Sequence, residues 1–185
     1  MARTPSNMLA LGTKAPDFSL LNTVDSKTYS FDKISGTRGT VVMFICNHCP
    51  YVIHVMEGII ALAKDYQNNG IGFVAISSND VVNYPDDDPA LMKVTAKKYG
   101  FSFPYLYDES QDVAKAYDAA CTPDFYLFDA EKTLVYRGQM DSSRPKNELP
   151  VTGKDLRAAL DALLWGKTID TLQKPSLGCN IKWKV

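Results

Sequence analysis

The sequence lacks the features that would assign it to several specialised classes of protein. Four cysteines in 185 residues are too few for a disulfide scaffold, and a chain of this length can bury a core without one. Twenty Lys and Arg residues against 21 Asp and Glu leave a net charge of −1. Proteins that bind nucleic acid usually carry a basic excess or stripe, so we expect no nucleic-acid partner.

Long hydrophobic runs are also missing. A membrane-spanning helix needs about 18 consecutive apolar residues, whereas residues 41–46, among the longest apolar runs, number six. Near the N-terminus only residues 8–11 are apolar, which is far short of the hydrophobic region of a secretory signal. The sequence therefore predicts a cytoplasmic protein with no membrane partner.

What the sequence does contain is an alternation of strand and helix patterns. Residues 41–45 form a continuous apolar and β-branched run, which is typical of a strand buried on both faces. A second such run lies at 71–77, and between the two an apolar stripe indicates a helix that ends near Asn69. A strand, helix and strand in this order predict a parallel, right-handed crossover.

The second half of the chain continues the alternation. Asp88 and Pro89 predict the N-cap and first residue of a helix that ends near Gly100. Strands at 125–128 and 134–137 have the spacing of a hairpin.

An apolar face then predicts a last helix at 155–165. We expect an α/β fold in which helices flank both faces of a central mixed β-sheet. The expected organisation is one domain over residues 1–185, with an N-terminal arm at 1–16 and a C-terminal tail at 166–185.

Two of the cysteines, Cys46 and Cys49, form a C-x-x-C between a buried strand and an amphipathic helix. In a reducing compartment such a pair is more often catalytic or metal-binding than structural. A helix N-terminus stabilises a thiolate because it carries unpaired N–H groups and about half a positive charge. We therefore predict that Cys46 is the nucleophile, that Cys49 closes the disulfide, and that Asn47 is the helix N-cap.

Four motifs carry a resemblance to one family: GTKAPDF at 12–18, CNHCPY at 46–51, Thr122-Pro123 before a strand, and PSLGCNIKW at 175–183. The first resembles the opening signature of bacterial thioredoxin-family proteins of the AhpC/TSA (redoxin) group, within the thioredoxin-like superfamily. The second resembles the active-site turn of this superfamily, and the third its cis-proline. The fourth resembles the ending of one subfamily.

The resemblance implies a thioredoxin-like fold and a thiol–disulfide oxidoreductase that needs no cofactor. Cys46 is then expected to attack the disulfide of a protein or small thiol substrate, and Cys49 to resolve the mixed disulfide. An unidentified reductant restores the pair. The resemblance also implies that Pro123 is cis and that Thr122 pairs with a substrate chain as a sheet edge does. We expect a monomer or a weak dimer.

His48 lies between the two cysteines and is predicted to contribute to catalysis. As an imidazolium it is expected to stabilise the Cys46 thiolate and to bring the pKa of Cys46 near or below about 7. The resulting redox potential is expected at about −230 to −180 mV, above the value of about −270 mV for thioredoxin. The nearest acid downstream is Glu57, about two helical turns away, so the sequence identifies no proton acceptor for Cys49.

Two alternative functions stay open. Peroxiredoxins share the pattern of residues 15–18 but carry Pro-x-x-x-Thr-x-x-Cys at the active site. When that cysteine is aligned with Cys49, Val42 stands in place of the proline and Cys46 in place of the threonine, so neither position matches. A copper- or metal-binding module of the same fold is the other alternative, with Cys46, Cys49 and His54 as ligands. Because such modules space their cysteines as C-x-x-x-C, no metal is expected here.

The two remaining cysteines, Cys121 and Cys179, are candidate accessory thiols. Residues 177–183 alternate apolar and polar side chains, which indicates an extended segment with one apolar face. We expect this segment to be ordered and anchored by Trp183. Cys179 then either relays the active-site disulfide or packs as a small inert side chain.

Overall fold

A computed structural model describes residues 3–185, which contain ten strands and five α-helices. The strands are β1 (Arg3–Pro5), β2 (Ser19–Asn22), β3 (Thr28–Ser30), β4 (Gly39–Phe44), β5 (Ile71–Ser77), β6 (Tyr105–Tyr107), β7 (Cys121–Thr122), β8 (Asp124–Asp129), β9 (Leu134–Gly138) and β10 (Leu177–Asn180). The helices are α1 (Phe31–Ile34), α2 (Pro50–Tyr66), α3 (Pro89–Tyr99), α4 (Asp112–Ala116) and α5 (Lys154–Leu164). Within these residues no helix is both long and apolar enough to cross a membrane.

Seven of the strands form the predicted mixed sheet, in the order β3-β2-β6-β5-β4-β8-β9. The central strand β4 is parallel to β5 and antiparallel to β8, which forms the predicted hairpin with β9. Alternate β4 residues enter two separate cores: Val41 and Met43 pack in one with α2, α3 and α5, while Val42 and Phe44 pack in the other with α1 and α4. The fold is thioredoxin-like, with helices on both faces of the sheet.

The crossover was predicted closely because its signals are local. β5 has the expected bounds, and α2 ends at Tyr66 with a 3₁₀ turn at Gln67–Asn69 before Gly70. Asp88 caps α3, since its side chain accepts a hydrogen bond from the N–H of Ala90.

The two chain ends depart from the prediction. The arm at 1–16 is not only a loop, because β1 pairs with β10, and β10 pairs with β7 to complete a second, three-stranded sheet; residues 1 and 2 of the arm lie outside the described residues. The segment 177–183 is ordered, as expected. Trp183 is not its anchor, because Trp183 is 40% exposed whereas Ile181 is buried in the core.

Candidate active site

The C-x-x-C turn connects the buried end of β4 to the start of α2. Pro50 is the first residue of α2, where a missing N–H leaves no hydrogen bond unmade. The N-cap residue is Cys49, so the prediction that Asn47 is the N-cap is wrong. Asn47 instead accepts a hydrogen bond from the hydroxyl of Tyr105, at 3.2 Å. Cys49, and not Cys46, therefore lies at the positive end of the helix.

The peptide bond between Thr122 and Pro123 is cis, as predicted, and Thr122 lies against both cysteines of the turn. Its hydroxyl is 3.4 Å from Sγ of Cys46, and its carbonyl oxygen is 3.2 Å from Sγ of Cys49. Both cysteines are free thiols, and they are only 1% and 0% exposed. In this conformation the pair is closed to solvent.

The backbone edge of Thr122, which the sequence analysis assigned to a substrate chain, is occupied by the chain's own strand β10. Cys179 is the antiparallel partner of Thr122, and the N–H of Ile181 donates to the carbonyl of Ala120 at 3.1 Å. The approach is so close that a Cβ atom on Gly178 would lie 1.9 Å from the carbonyl oxygen of Thr122. The free-edge expectation is thus corrected for this conformation.

Of the two candidate accessory thiols, only Cys179 reaches the turn. Its Sγ lies 2.9 Å from Sγ of Cys49. The thiol of Cys121 instead contacts the carbonyl of Pro123 at 3.8 Å, and burial raises the pKa of Cys121. The structure therefore brings three thiols together, those of Cys46, Cys49 and Cys179.

The acidity of the two turn cysteines is opposite to the prediction. The pKa of Cys49 is lowered to about 5, chiefly by a hydrogen bond with the Cys46 thiol, and further by contacts with Cys179 and the backbone of Val52. The pKa of Cys46 is raised well above its ordinary value by the same bond with Cys49, by burial and by the charge of Asp87. The expectation of a low pKa on Cys46 is therefore corrected, because the pKa of Cys46 is raised and that of Cys49 is lowered.

A buried acid that sequence reasoning missed lies beside the turn. Asp87, which is 0% exposed, accepts hydrogen bonds from the N–H of Asn47, from Nδ1 of His48 and from the amide of Asn79, each at 2.7 Å. Burial alone raises the pKa of Asp87, but the bonds from His48 and Asn79 outweigh it and lower the pKa. The one available signal is the acidic run at 86–88 before Pro89, which turn chemistry and helix capping explain better than a cation site.

His48 pairs with Asp87 rather than acting on Cys46 alone. The hydrogen bond that His48 donates to Asp87 raises the pKa of His48, so the imidazolium is favoured, but its charge is balanced by the carboxylate. This explains why His48 does not lower the pKa of Cys46 as expected. The ring of His48 also stacks on Tyr84, with centroids 5.8 Å apart, and Nζ of Lys182 lies 5.5 Å from the Tyr84 ring centroid.

The metal-ligand set considered from the sequence is not assembled. Nε2 of His54 is hydrogen-bonded to the hydroxyl of Ser143 at 2.7 Å. Within residues 3–185, the group able to hold a metal ion is Cys46, His48 and Asp87, whose ligand atoms lie within 4.8 Å of one another. Nδ1 of His48 and Oδ2 of Asp87 are already hydrogen-bonded to each other, so this arrangement favours exchange of a proton between the two side chains.

Comparison with known proteins places these features in a family. The family model described as "AhpC/TSA family" matches residues 11–137. Among curated proteins no match was found.

Three solved structures illustrate the similarity. An uncharacterized conserved protein from Geobacillus kaustophilus is 55% identical, with a TM-score of 0.98 over 100% of this chain and 97% of that chain. A hypothetical protein from Sinorhizobium meliloti 1021 is 47% identical, with a TM-score of 0.96 over 98% of this chain and 99% of that one. A secreted disulfide oxidoreductase from Mycobacterium tuberculosis is 16% identical and shares the fold, with a TM-score of 0.60 over 78% of this chain and 95% of its own.

Proposed function

The chain belongs to the AhpC/TSA family, and on that basis we propose that it is a thiol–disulfide oxidoreductase whose redox pair is Cys46 and Cys49. The observation that carries the proposal is the C-x-x-C turn itself. Its two free thiols lie at the start of α2, and Thr122, the residue before the cis-proline, contacts both sulfurs. Exchange needs two thiols that can share a disulfide, and at least one of them as a thiolate.

The reaction proceeds in two exchanges that start from one thiol and one thiolate. Sγ of Cys46 attacks a sulfur of the substrate disulfide while its proton passes to the Cys49 thiolate, with which it is hydrogen-bonded. Cys49 then loses that proton and attacks the mixed disulfide at Sγ of Cys46, and the second substrate sulfur leaves and is protonated. The pair loses two electrons and one proton, and the substrate leaves as one thiol and one thiolate.

His48 and Asp87 supply the proton exchange that the sequence left unassigned. Their nitrogen and oxygen atoms lie within 4.8 Å of Sγ of Cys46. Because Asp87 raises the pKa of His48, the pair can hold a proton close to the sulfur that attacks and leaves. We propose that the pair keeps Cys46 protonated while the site is closed. In the second exchange it takes up the proton that Cys49 loses and donates one to the substrate sulfur that leaves Cys46.

Substrate binding requires that the site opens. Cys46 and Cys49 are buried under the residues around β10, and the backbone of Thr122 is already paired. We propose that Thr122 and Pro123 bind the substrate chain in a state in which β10 has left this edge. The substrate class is a disulfide-containing protein or a small disulfide, restored by a thiol reductant.

Reduction of insulin disulfides by dithiothreitol tests the proposal. The wild type should accelerate precipitation of the insulin B chain, whereas Cys46→Ser and Cys49→Ser should abolish the acceleration. Cys121→Ser is the matched control and should keep wild-type activity, since Cys121 does not reach the pair. Cys49→Ser should also accumulate a mixed disulfide with insulin. Equal rates for the wild type and Cys46→Ser would refute the assignment.

One observation favours a peroxiredoxin-type peroxidase as the second candidate. The pKa of Cys49 is lowered to about 5, as a peroxide-attacking thiolate requires. Against it, Cys46 replaces the threonine that positions the peroxide. Hydrogen peroxide consumption by the reduced wild type distinguishes the two functions, and we expect it to be slow beside insulin reduction. Rapid consumption that depends on Cys49 alone would establish the peroxidase instead.

A further inference from the structure

We propose that Cys179 is a third redox-active thiol, which takes over the active-site disulfide by attacking Cys49 and releasing Cys46. This inference rests on the proposed function, because the oxidised Cys46–Cys49 pair is its starting point. It assigns a chemical role to a residue of the C-terminal tail that lies far from the C-x-x-C turn in sequence.

Distance is the first observation behind the proposal. Sγ of Cys179 and Sγ of Cys49 are 2.9 Å apart although 130 positions separate the two residues. A disulfide bond is about 2.04 Å long, so less than about 1 Å of movement brings the atoms to bonding distance. Cys46, the other cysteine of the turn, lies with Cys49 against Thr122, which contacts both sulfurs. Cys49 thus lies between two thiols, each of which can form a disulfide with it.

The strand that carries Cys179 is held on both sides, which makes the contact a built feature of the fold. β10 lies between β1 and β7, with Cys179 opposite Arg3 on one side and opposite Thr122 on the other. Beyond the strand, the N–H of Lys182 donates to Oδ1 of Asn79 at 2.8 Å. A fixed strand presents its thiol in one position, so little conformational freedom is lost when the disulfide forms.

Burial restricts the partners that Cys179 can meet. Cys179 is only 2% exposed, and its pKa is raised to about 12, mainly by burial and then by its contact with Cys49. An external disulfide cannot reach this sulfur while β10 is docked. Cys179 therefore exchanges with the sulfur of Cys49 and does not react with thiol reagents in solution.

The exchange is balanced and needs no added oxidant. Sγ of Cys179 bonds to Sγ of Cys49, the Cys46–Cys49 bond breaks, and the proton of Cys179 passes to the leaving sulfur of Cys46. One disulfide and one thiol are present before and after the step. The new bond ties β10 to the start of α2 and frees Cys46, so the oxidised protein keeps its disulfide beneath the docked tail.

Disulfide mapping of the full-length protein tests the proposal. Trypsin leaves Cys46 and Cys49 in peptide 39–64, Cys121 in 116–132 and Cys179 in 168–182, because the Lys174–Pro175 bond resists cleavage. The reduced wild type is oxidised with oxidised glutathione, blocked with N-ethylmaleimide under denaturing conditions, digested without reductant and analysed by mass spectrometry. Insulin reduction is measured on the same preparation.

We expect a cross-link between peptides 39–64 and 168–182, with Cys46 alkylated, in at least about a tenth of the oxidised chains. That share follows if the two disulfides differ by no more than about tenfold in stability. In Cys46→Ser the cross-link should become the main protein disulfide. Cys121→Ser should give the wild-type pattern, and Cys179→Ser should give only the disulfide within 39–64.

Two results would overturn the proposal, and they are distinguishable. If the wild type reduces insulin but shows only the disulfide within peptide 39–64, and Cys46→Ser forms no cross-link, Cys179 takes no part and the proposed function stands. If the wild type neither reduces insulin nor forms any disulfide within 39–64, the proposed function fails and the relay fails with it.

Discussion

At the scale of single residues, two features make Cys49 the more acidic cysteine of the turn: its hydrogen bond with Cys46, which lowers its pKa most, and its position at the helix start. α2 begins at Pro50, so Cys49 is the residue whose sulfur faces the helix start and the backbone of Val52. A C-x-x-C before a helix pattern predicts that a thiolate is stabilised there, but the pattern does not fix the helix start to within one turn. The acidity was therefore assigned to Cys46, three residues too early.

The acidity of Cys49 can be measured by the absorbance of the thiolate at 240 nm. In the reduced wild type we expect one thiolate to titrate with a midpoint near pH 5, because the pKa of Cys49 is lowered to about 5. Cys49→Ser should lose this transition. Cys46→Ser should shift it to higher pH, since the hydrogen bond from Cys46 is the largest cause of the low pKa. A transition near pH 5 that survives in Cys49→Ser would contradict the assignment.

Asp87 shows what a buried acid does to a neighbouring histidine. Replacing it by asparagine removes the negative charge that raises the pKa of His48, so the imidazole of His48 should titrate at lower pH in Asp87→Asn than in the wild type. Proton NMR measures this, with the second histidine, His54, as an internal reference. Loss of charged hydrogen bonds should also lower the free energy of unfolding by about 1–3 kcal/mol. An unchanged His48 titration would show that the two side chains are not coupled in solution.

At the scale of elements, β10 is the segment whose role the sequence described only in part. Its alternating pattern correctly predicts an extended, ordered segment, but a pattern of period two does not say which residues of the apolar face are buried. The size of its side chain favours Trp183 as the anchor. In the structure Cys179 and Ile181 fill the buried positions, whereas Trp183 is exposed.

Alanine substitutions in the tail test this assignment by urea unfolding. Ile181→Ala should lower the free energy of unfolding by about 2–5 kcal/mol, because it leaves a cavity in a closed core. Trp183→Ala should cost less than Ile181→Ala, because the indole is 40% exposed and its removal leaves no closed cavity. A larger loss for Trp183→Ala than for Ile181→Ala would restore Trp183 as the anchor.

At the scale of the whole molecule, both chain ends meet beside the cis-proline through one buried carboxyl group. The hydroxyl of Ser6 donates to Asp124 at 2.8 Å and accepts from the N–H of Ser176, also at 2.8 Å. Asp124 is 0% exposed, and burial raises its pKa to about 7. Its ionisation is therefore coupled to the docking of the arm and the tail.

A raised carboxyl pKa has a defined effect on stability. Protonated Asp124 contributes stability that is fully present below the ordinary pKa of 3.8 and is lost as pH rises towards about 7. The loss amounts to up to about 4 kcal/mol. Urea unfolding at pH 5 and pH 8 should show a larger decrease for the wild type than for Asp124→Asn, which cannot ionise at this position. Equal decreases for the two proteins would show that Asp124 does not titrate in this range.

Features that depend on residues close in sequence could be predicted, whereas contacts between residues far apart in sequence could not. Strand β5, the cap at Asp88 and the turn at Cys46–Cys49 depend on neighbouring residues, so the sequence predicts them. The contact of Asp87 with His48 spans 39 positions, and that of Cys179 with Cys49 spans 130. No local pattern encodes such contacts, since they arise only when the sheet order brings distant segments to one edge.

The central claim is that Cys46 and Cys49 form a reversible redox pair, and equilibration with glutathione tests it most directly. Wild-type protein is incubated across a series of reduced-to-oxidised glutathione ratios, alkylated, and its oxidised fraction measured by intact mass. A thiolate stabilised in the reduced state makes the disulfide more oxidising, so we predict a two-electron transition at about −230 to −180 mV. A potential at or below about −270 mV, or a chain that stays reduced at every ratio, would contradict the account.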